Sequence, residues 1–300
     1  VLAIARYALK GPFHAATVAG VLAVLSLFIP LISVISGAII GLVILTQGLR
    51  PGAWVIFVSV VGITLVSYLI TRSPVLGVTI GLVQWLPMVI MAELLRRTAS
   101  LSFTVLAGAG LALLVVIVQF LLWPDSEQIW LQYLRQVFAG MEQQDVETQQ
   151  QLEAVLRNMV HWMTVLVVAV MYSTYVATLM VSRWFQARLA DSDAHRSEFY
   201  SISLGKSAAG LAIMVIAASL LLQQDVLIAL AMVMVAAFVF QGLAIAHKWA
   251  RLRKAKVWLF VLYAMMMFVP QTVALVALLG IVDNWVDFRA RLRSQPGETD

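Results

Sequence analysis

Nine stretches of this chain are long, apolar and free of acidic and basic residues: 12–29, 31–48, 52–71, 75–92, 101–123, 158–182, 207–222, 226–246 and 257–282. A helical run of roughly 18 or more apolar residues matches the ~30 Å hydrocarbon core of a bilayer. Two or three such runs fit inside a soluble protein. Nine do not, because a chain that is 62% hydrophobic has too little polar surface to cover them in water. The expected fold is therefore all-α. It is a polytopic transmembrane helical bundle of eight to nine spans. We treat residues 1–300 as one transmembrane domain, with 124–157 as an amphipathic helical insert on the extracytoplasmic side.

Several functions are excluded early. Cysteine is absent, which removes disulfides, iron–sulfur ligation and thiol nucleophiles together. His14, His161, His195 and His247 are far apart and show no H-x-x-x-H or H-E-x-x-H spacing, so no metal site on a single helix is expected. No G-x-x-x-x-G-K-[ST] loop and no G-x-S-x-G elbow occurs. No nucleophile–base pair can be assembled, so an enzyme is not expected, and nothing calls for a cofactor. The net charge of +5 reads as membrane electrostatics rather than nucleic-acid binding. Arg6 and Lys10 before an apolar run loosely resemble a signal peptide, but further spans follow at once, so 12–29 is taken as a retained helix.

Charge also orients the chain. Arg96 and Arg97, then Arg183, Arg188, Arg196 and Lys206, then Lys248, Arg251, Arg253, Lys254 and Lys256, occupy three loops that belong on one side. The positive-inside rule makes that side the cytoplasm and places loops 93–100, 183–206 and 247–256 there. The acidic connection 124–157 and the Gln223-Gln224-Asp225 turn fall outside, and the N-terminus falls inside. One signal conflicts: nine crossings would put Arg289, Arg291 and Arg293 outside. Pro270 stands near the middle of 257–282 and favours a broken or strongly kinked segment there. A re-entrant pair of half-helices would return the tail to the cytoplasm.

Within 126–140, Ile129, Trp130, Tyr133, Leu134, Val137 and Phe138 share one helical face, as expected of an amphipathic helix at the outer interface. From about Asp145 a helical pattern through Leu152, Val155, Leu156 and Met159 runs into the sixth span, which should project about three turns beyond the bilayer. In the first two spans small residues recur four apart: Ala15, Ala19 and Ala23, then Ser33, Gly37 and Gly41. Such faces allow close helix packing, inside the bundle or against a partner membrane subunit or second copy.

No carboxylate lies in the middle of a span, which argues against a proton pump or a voltage sensor. Eight of the nine tryptophans fall near interfaces; Trp85 sits at mid-depth. Gln84 beside it, Tyr172 and Tyr175 in the sixth span and Gln271 after Pro270 share that depth. These five residues are the candidate lining of a neutral pocket for an uncharged or lipid-like small molecule. The competing reading makes them interhelical hydrogen-bonding groups.

Three parts of the chain carry a family resemblance. They are the N-terminal GPFHAATVAGVLAVLSLFIPLISVISGAIIGLVILTQGLRPG, the QWLPM that closes the fourth span, and the C-terminal FVPQTVALVALLGIVDNWVDFRARLR. Together they resemble the YybS-like family of bacterial predicted membrane proteins, a domain of unknown function. Gly280, Asp283, Asp287 and Arg289 form the most specific part. The resemblance implies a bacterial inner-membrane protein, often encoded near ribosomal-protein genes. It also implies distant kinship with the substrate-capturing subunits of energy-coupling-factor vitamin transporters. Those dock on a partner through an alanine-rich first helix, which Ala15, Ala19 and Ala23 would match. The extra C-terminal spans and the acidic insert depart from that pattern. The family brings no catalytic residues. Two functions follow as expectations: a transporter-like or substrate-binding membrane subunit, or a membrane scaffold that recruits partners.

Overall fold

The computed structural model describes residues 2–26, 28–138, 146–192 and 194–291, with only the backbone described at 146–149 and 194. Asp145 and Arg293, which entered the charge reading, lie outside the described residues. Among those described, the chain is helical and contains no strand. The helices are α1 (Leu2–Ala8), α2 (Pro12–Leu25), α3 (Ile32–Gln47), α4 (Leu49–Thr71), α5 (Val75–Thr98), α6 (Leu101–Leu122), α7 (Ser126–Phe138), α8 (Val146–Leu189), α9 (Ala194–Tyr200), α10 (Lys206–Leu222), α11 (Asp225–Leu252), α12 (Lys256–Phe268), α13 (Gln271–Val286) and α14 (Phe288–Arg291).

Five of these are long and apolar enough to cross a membrane: α4, α5, α6, α11 and residues 150–189 of α8. α2, α3, α10, α12 and α13 are apolar but shorter. The sequence reading gave the first two spans 18 residues each; the helices have 14 and 16. At 1.5 Å per residue α2 is only ~21 Å long, because the chain leaves the helix before Pro30. The stretch 257–282 is broken, with α12 ending at Phe268 and α13 starting after Pro270. Proline cannot donate an N–H and crowds the carbonyl four residues back, which ends the first helix there. Large apolar side chains cover the outside: Phe57, Leu69, Ile70, Phe260 and Met267 are all exposed. In water such a surface would aggregate; lipid is its natural solvent.

The chain forms two compact units. The first comprises residues 1–108 and 173–202, the second 109–172 and 203–300. Each has one helix buried on all sides. In the first it is α3, buried continuously from Ser36 to Leu45. α3 lies against α2, α4 and α5. In the second unit it is α11, buried from Ala237 to Ile245 and packed on α10 and α13. Helices that are apolar all round need such enclosure or lipid.

Small residues set the closeness of these contacts. A Cβ on Gly242 would lie 2.0 Å from the Val276 carbonyl oxygen, and one on Gly280 would lie 2.3 Å from that of Phe238. The α11–α13 crossing is thus backbone on backbone, the approach that small residues permit in membranes. In the first unit Gly37 and Gly41 instead face side chains, Thr178, and Met88 with Ser182. Gly205 has φ of +87°, a left-handed conformation other residues avoid, and so turns the chain into α10.

The insert forms a helical hairpin. α7 lays Trp130, Leu131, Leu134 and Phe138 on Leu152, Leu156, Val160 and Met163 of α8. Arg135 and Arg157 both pair with Glu153, the first across the hairpin. The single face expected from the sequence is split in two. Ile129, Tyr133 and Val137, spaced four apart, point away from α8 and are each more than half exposed. α8 runs unbroken from Val146 into its apolar part, as the helical pattern from 145 into the sixth span led us to expect.

Candidate functional sites

In the first unit the polar groups near Trp85 are engaged by neighbouring helices. Trp85 is fully buried, and its indole N–H donates to Ser36 Oγ at 3.3 Å. Ser36 Oγ–H in turn donates to the Ala19 carbonyl at 2.8 Å. One relay thereby joins α5, α3 and α2. An indole N–H in a bilayer needs such an acceptor, since lipid tails offer none. Gln84 donates to the Ser33 carbonyl at 3.2 Å, and Tyr175 OH donates to the Val83 carbonyl at 2.5 Å. Ser59 Oγ–H reaches the Ala16 carbonyl at 3.2 Å.

Of the five candidate pocket residues, Gln84, Trp85 and Tyr175 belong to this unit. The acceptor for the Trp85 indole is Ser36, which is not one of the five. Tyr172 and Gln271 belong to the second unit. Tyr172 is buried edge-on against Phe240, with ring centroids 6.4 Å apart, and Gln271 is the exposed first residue of α13. Ala15, Ala19 and Ala23 are fully buried inside the chain, in the interface of α2 with α3 and α4. The sequence reading overlooked Ser36, although a hydroxyl one residue before Gly37, on the small-residue helix, was a usable signal.

The second unit holds a buried charged network at the ends of α11 and α13. Asp283 is 2% exposed. Its Oδ2 accepts from Gln241 Nε2 at 3.1 Å and from Arg289 at 2.5 Å. Oδ1 is buried without a hydrogen-bond partner. Gln241 Oε1 accepts the Leu204 N–H at 2.9 Å, and Asn284 Oδ1 accepts the Gly205 N–H at 3.0 Å. This clamps the turn before α10. The base that anchors Asp283 is Arg289, only six residues on in the chain. Asp287 Oδ1 accepts the Ala290 N–H at 3.1 Å. Lys248 donates to the Arg289 carbonyl at 3.1 Å, and Tyr263 of α12 lies 3.3 Å from His247 Nε2. The tail, the end of α11 and α12 therefore meet in one place.

At the opposite end of α11 two further features adjoin. A groove of about 530 Å³ lies against residues 158–171 of α8. It is lined by Trp130 of α7 and, among others of α8, by Met159, Trp162, Met163, Leu166, Val167 and Met171, with Asn158 as a polar group. Beside it stand Glu127, His161 and Asp225, from the first turn of α7, from α8 and from the first turn of α11. His161 Nδ1 is 3.4 Å from Glu127 Oε1 and 3.7 Å from Asp225 Oδ1. The sequence search for ligands within one helix could not find a group spread over three. The usable signal was that 124–157 and the Gln223-Gln224-Asp225 turn had been assigned to the same face.

A comparison with curated proteins and one with solved structures each find no match. One family model does match, over residues 17–284, which runs from within α2 to within α13 and includes Asp283 and Asn284. The chain belongs to the family described as "Predicted membrane protein (DUF2232)".

Proposed function

We propose that this chain is a non-enzymatic, multi-pass protein of the bacterial cytoplasmic membrane that binds an uncharged or lipid-like ligand in the groove between α7 and α8. The observation that carries this reading is the groove itself. About 530 Å³ falls within the size range of small-molecule sites. Its lining is apolar, with three methionines that adapt to irregular hydrocarbon. Ligand binding at the outer half of a span suits a transporter-like or substrate-binding subunit. None of the five residues expected from the sequence lines it.

The topology of this reading has eight crossings with both termini inside. α12 and α13 then form a re-entrant pair that enters from the cytoplasmic face and returns to it. The Lys248–Arg289 and Tyr263–His247 contacts support this, since they hold α12 and the tail beside the basic end of α11. The adjacency of Glu127 and Asp225 supports a shared outer face for the insert and the α10–α11 turn.

A second reading, a membrane scaffold, is favoured by the first unit. Gln84, Trp85 and Tyr175 are all bonded to neighbouring helices, as structural groups would be. The kinship with energy-coupling-factor subunits rests on the sequence resemblance; the alanine face it would use for docking is occupied by the chain's own helices.

The test is photo-crosslinking of the purified chain in nanodiscs doped with a photoactivatable phosphatidylethanolamine. Adducts should concentrate on residues 158–171 and Trp130, and Val167→Trp, which fills the groove, should reduce them several-fold. Adducts spread evenly over the exposed helices and indifferent to that substitution would favour the scaffold. For topology, an impermeant thiol reagent applied from outside should label Gln223→Cys and spare Arg253→Cys. The reverse pattern overturns the orientation.

A further inference from the structure

We propose that Glu127, His161 and Asp225 form a site for a divalent transition-metal cation of the zinc class, which ties α7, α8 and α11 together at the outer end of the second unit. The three donor atoms lie within 4.8 Å of one another. In a tetrahedral site with ~2.0–2.1 Å bonds, ligand atoms stand about 3.3 Å apart. The two distances from His161 Nδ1, 3.4 and 3.7 Å, are already close to that edge. The two carboxylate oxygens, within 4.8 Å of each other, are side-chain ends on partly exposed residues and can close further.

The chemistry of the set is selective. One imidazole nitrogen with two carboxylate oxygens suits zinc, cobalt or manganese. Calcium and magnesium prefer oxygen alone and more ligands. Two carboxylates and a neutral imidazole balance a charge of +2, which matters beside a bilayer. Three protein ligands leave a fourth position for water or a ligand group.

A simpler account covers part of the arrangement. Acidic residues in the first turn of a helix are favoured by its dipole, and Glu127 and Asp225 both stand there. That explains each acid separately. It does not explain why an imidazole from a third helix sits between them, with its ring held edge-on to Trp162 at 5.5 Å. Nor does it explain why residues 34 and 64 positions apart along the chain converge at ligand spacing.

The site is independent of whether the groove holds a ligand, although the two adjoin. The test uses the full, tag-free chain in detergent, stripped with EDTA and dialysed against zinc in excess magnesium. One zinc per chain is expected. Glu127→Gln, His161→Gln and Asp225→Asn should each weaken uptake by at least about tenfold, the loss that follows even from removing a supporting partner of a ligand. Arg135→Gln, at the neighbouring hairpin ion pair, should leave it unchanged. Cobalt in place of zinc should give the intense visible absorption of a tetrahedral centre. Zinc should also slow hydrogen exchange in the first turns of α7 and α11. Uptake equal in parent and His161→Gln overturns the site, as does displacement by magnesium or the weak spectrum of hydrated cobalt. If His161 merely bridges two carboxylates, its substitution will alter stability and leave zinc uptake as it was. A failed zinc titration leaves crosslinking in the groove untouched, so the two proposals fail separately.

Discussion

α3 and α11 solve the same problem with different chemistry. Each is the enclosed helix of its unit, and each must be held by its neighbours without help from water. Around α3 the links are neutral: Trp85 to Ser36 to the Ala19 carbonyl, Gln84 to the Ser33 carbonyl, and Gln186 of α8 to the Leu45 carbonyl at 3.0 Å. Around α11 the central link is charged, with Arg289 and Gln241 converging on Asp283. The neutral links can sit deep in a span because each removes only a modest hydrogen-bonding group from water. The ion pair sits near the end of α13, where Arg289 is partly exposed, because deep burial of two charges costs several kcal/mol per ion. The packing differs too. α3 meets side chains through Gly37 and Gly41, whereas α11 and α13 meet backbone to backbone at Gly242 and Gly280. A neutral, side-chain-cushioned centre should therefore tolerate change better than a charged, backbone-tight one.

The sharpest way to break that contrast is at the glycines. Gly242→Val or Gly280→Leu drives a side chain into a carbonyl of the facing helix and should abolish accumulation of folded protein. Gly37→Ala meets only the Thr178 methyl and should cost about 1–3 kcal/mol, the usual range for overpacking. Thermal aggregation in detergent, followed by size exclusion, measures both. Equal loss in the two units would end the distinction between side-chain and backbone contact.

The charged link comes next. Arg289→Met leaves the Asp283 carboxylate buried and unpaired, and should destabilise the second unit by roughly 3–5 kcal/mol. Asp283→Asn combined with Arg289→Met removes both charges and should recover most of that loss. If the double variant is as unstable as Arg289→Met alone, the pair is not what organises the turn at Leu204 and Gly205.

The neutral relay should cost less. Ser36→Ala strands the Trp85 N–H and is expected to destabilise by about 1–3 kcal/mol. Trp85→Phe removes that donor, so its combination with Ser36→Ala should add little further loss. Strict additivity in this double-mutant cycle would show that the two side chains do not interact. The smallest effect is expected at the hairpin, where Glu153→Gln breaks exposed pairs worth about 0–1 kcal/mol. A large loss there would mean that charge, rather than the apolar seam of α7 on α8, holds the insert.

Much of the architecture was legible in residue order. Long apolar runs announced the membrane helices, Pro270 announced the break between α12 and α13, and the spacing of Leu152, Val155 and Leu156 announced the extension of α8. The burial of Trp85 was legible from one physical fact, that an indole N–H cannot face lipid unaided. Its partner was not, since several hydroxyls and amides share its depth and only packing selects Ser36. Which part of the apolar face of 126–140 meets α8 was not legible for a related reason. Helical periodicity places Ile129 and Trp130 near each other but does not say that α8 covers one and leaves the other bare.

By itself the sequence determined the solvent this chain lives in, the all-helical class and the ends of most helices. These follow from local quantities: hydropathy, proline, helical period and charge. The tertiary structure alone decided which residues meet. It placed the alanine face of α2 inside the chain and brought Arg289 back onto Asp283. It set Glu127, His161 and Asp225 around one point from three helices. Such contacts depend on how helices cross, and crossing is fixed by the shape of whole packed faces, which no single segment carries.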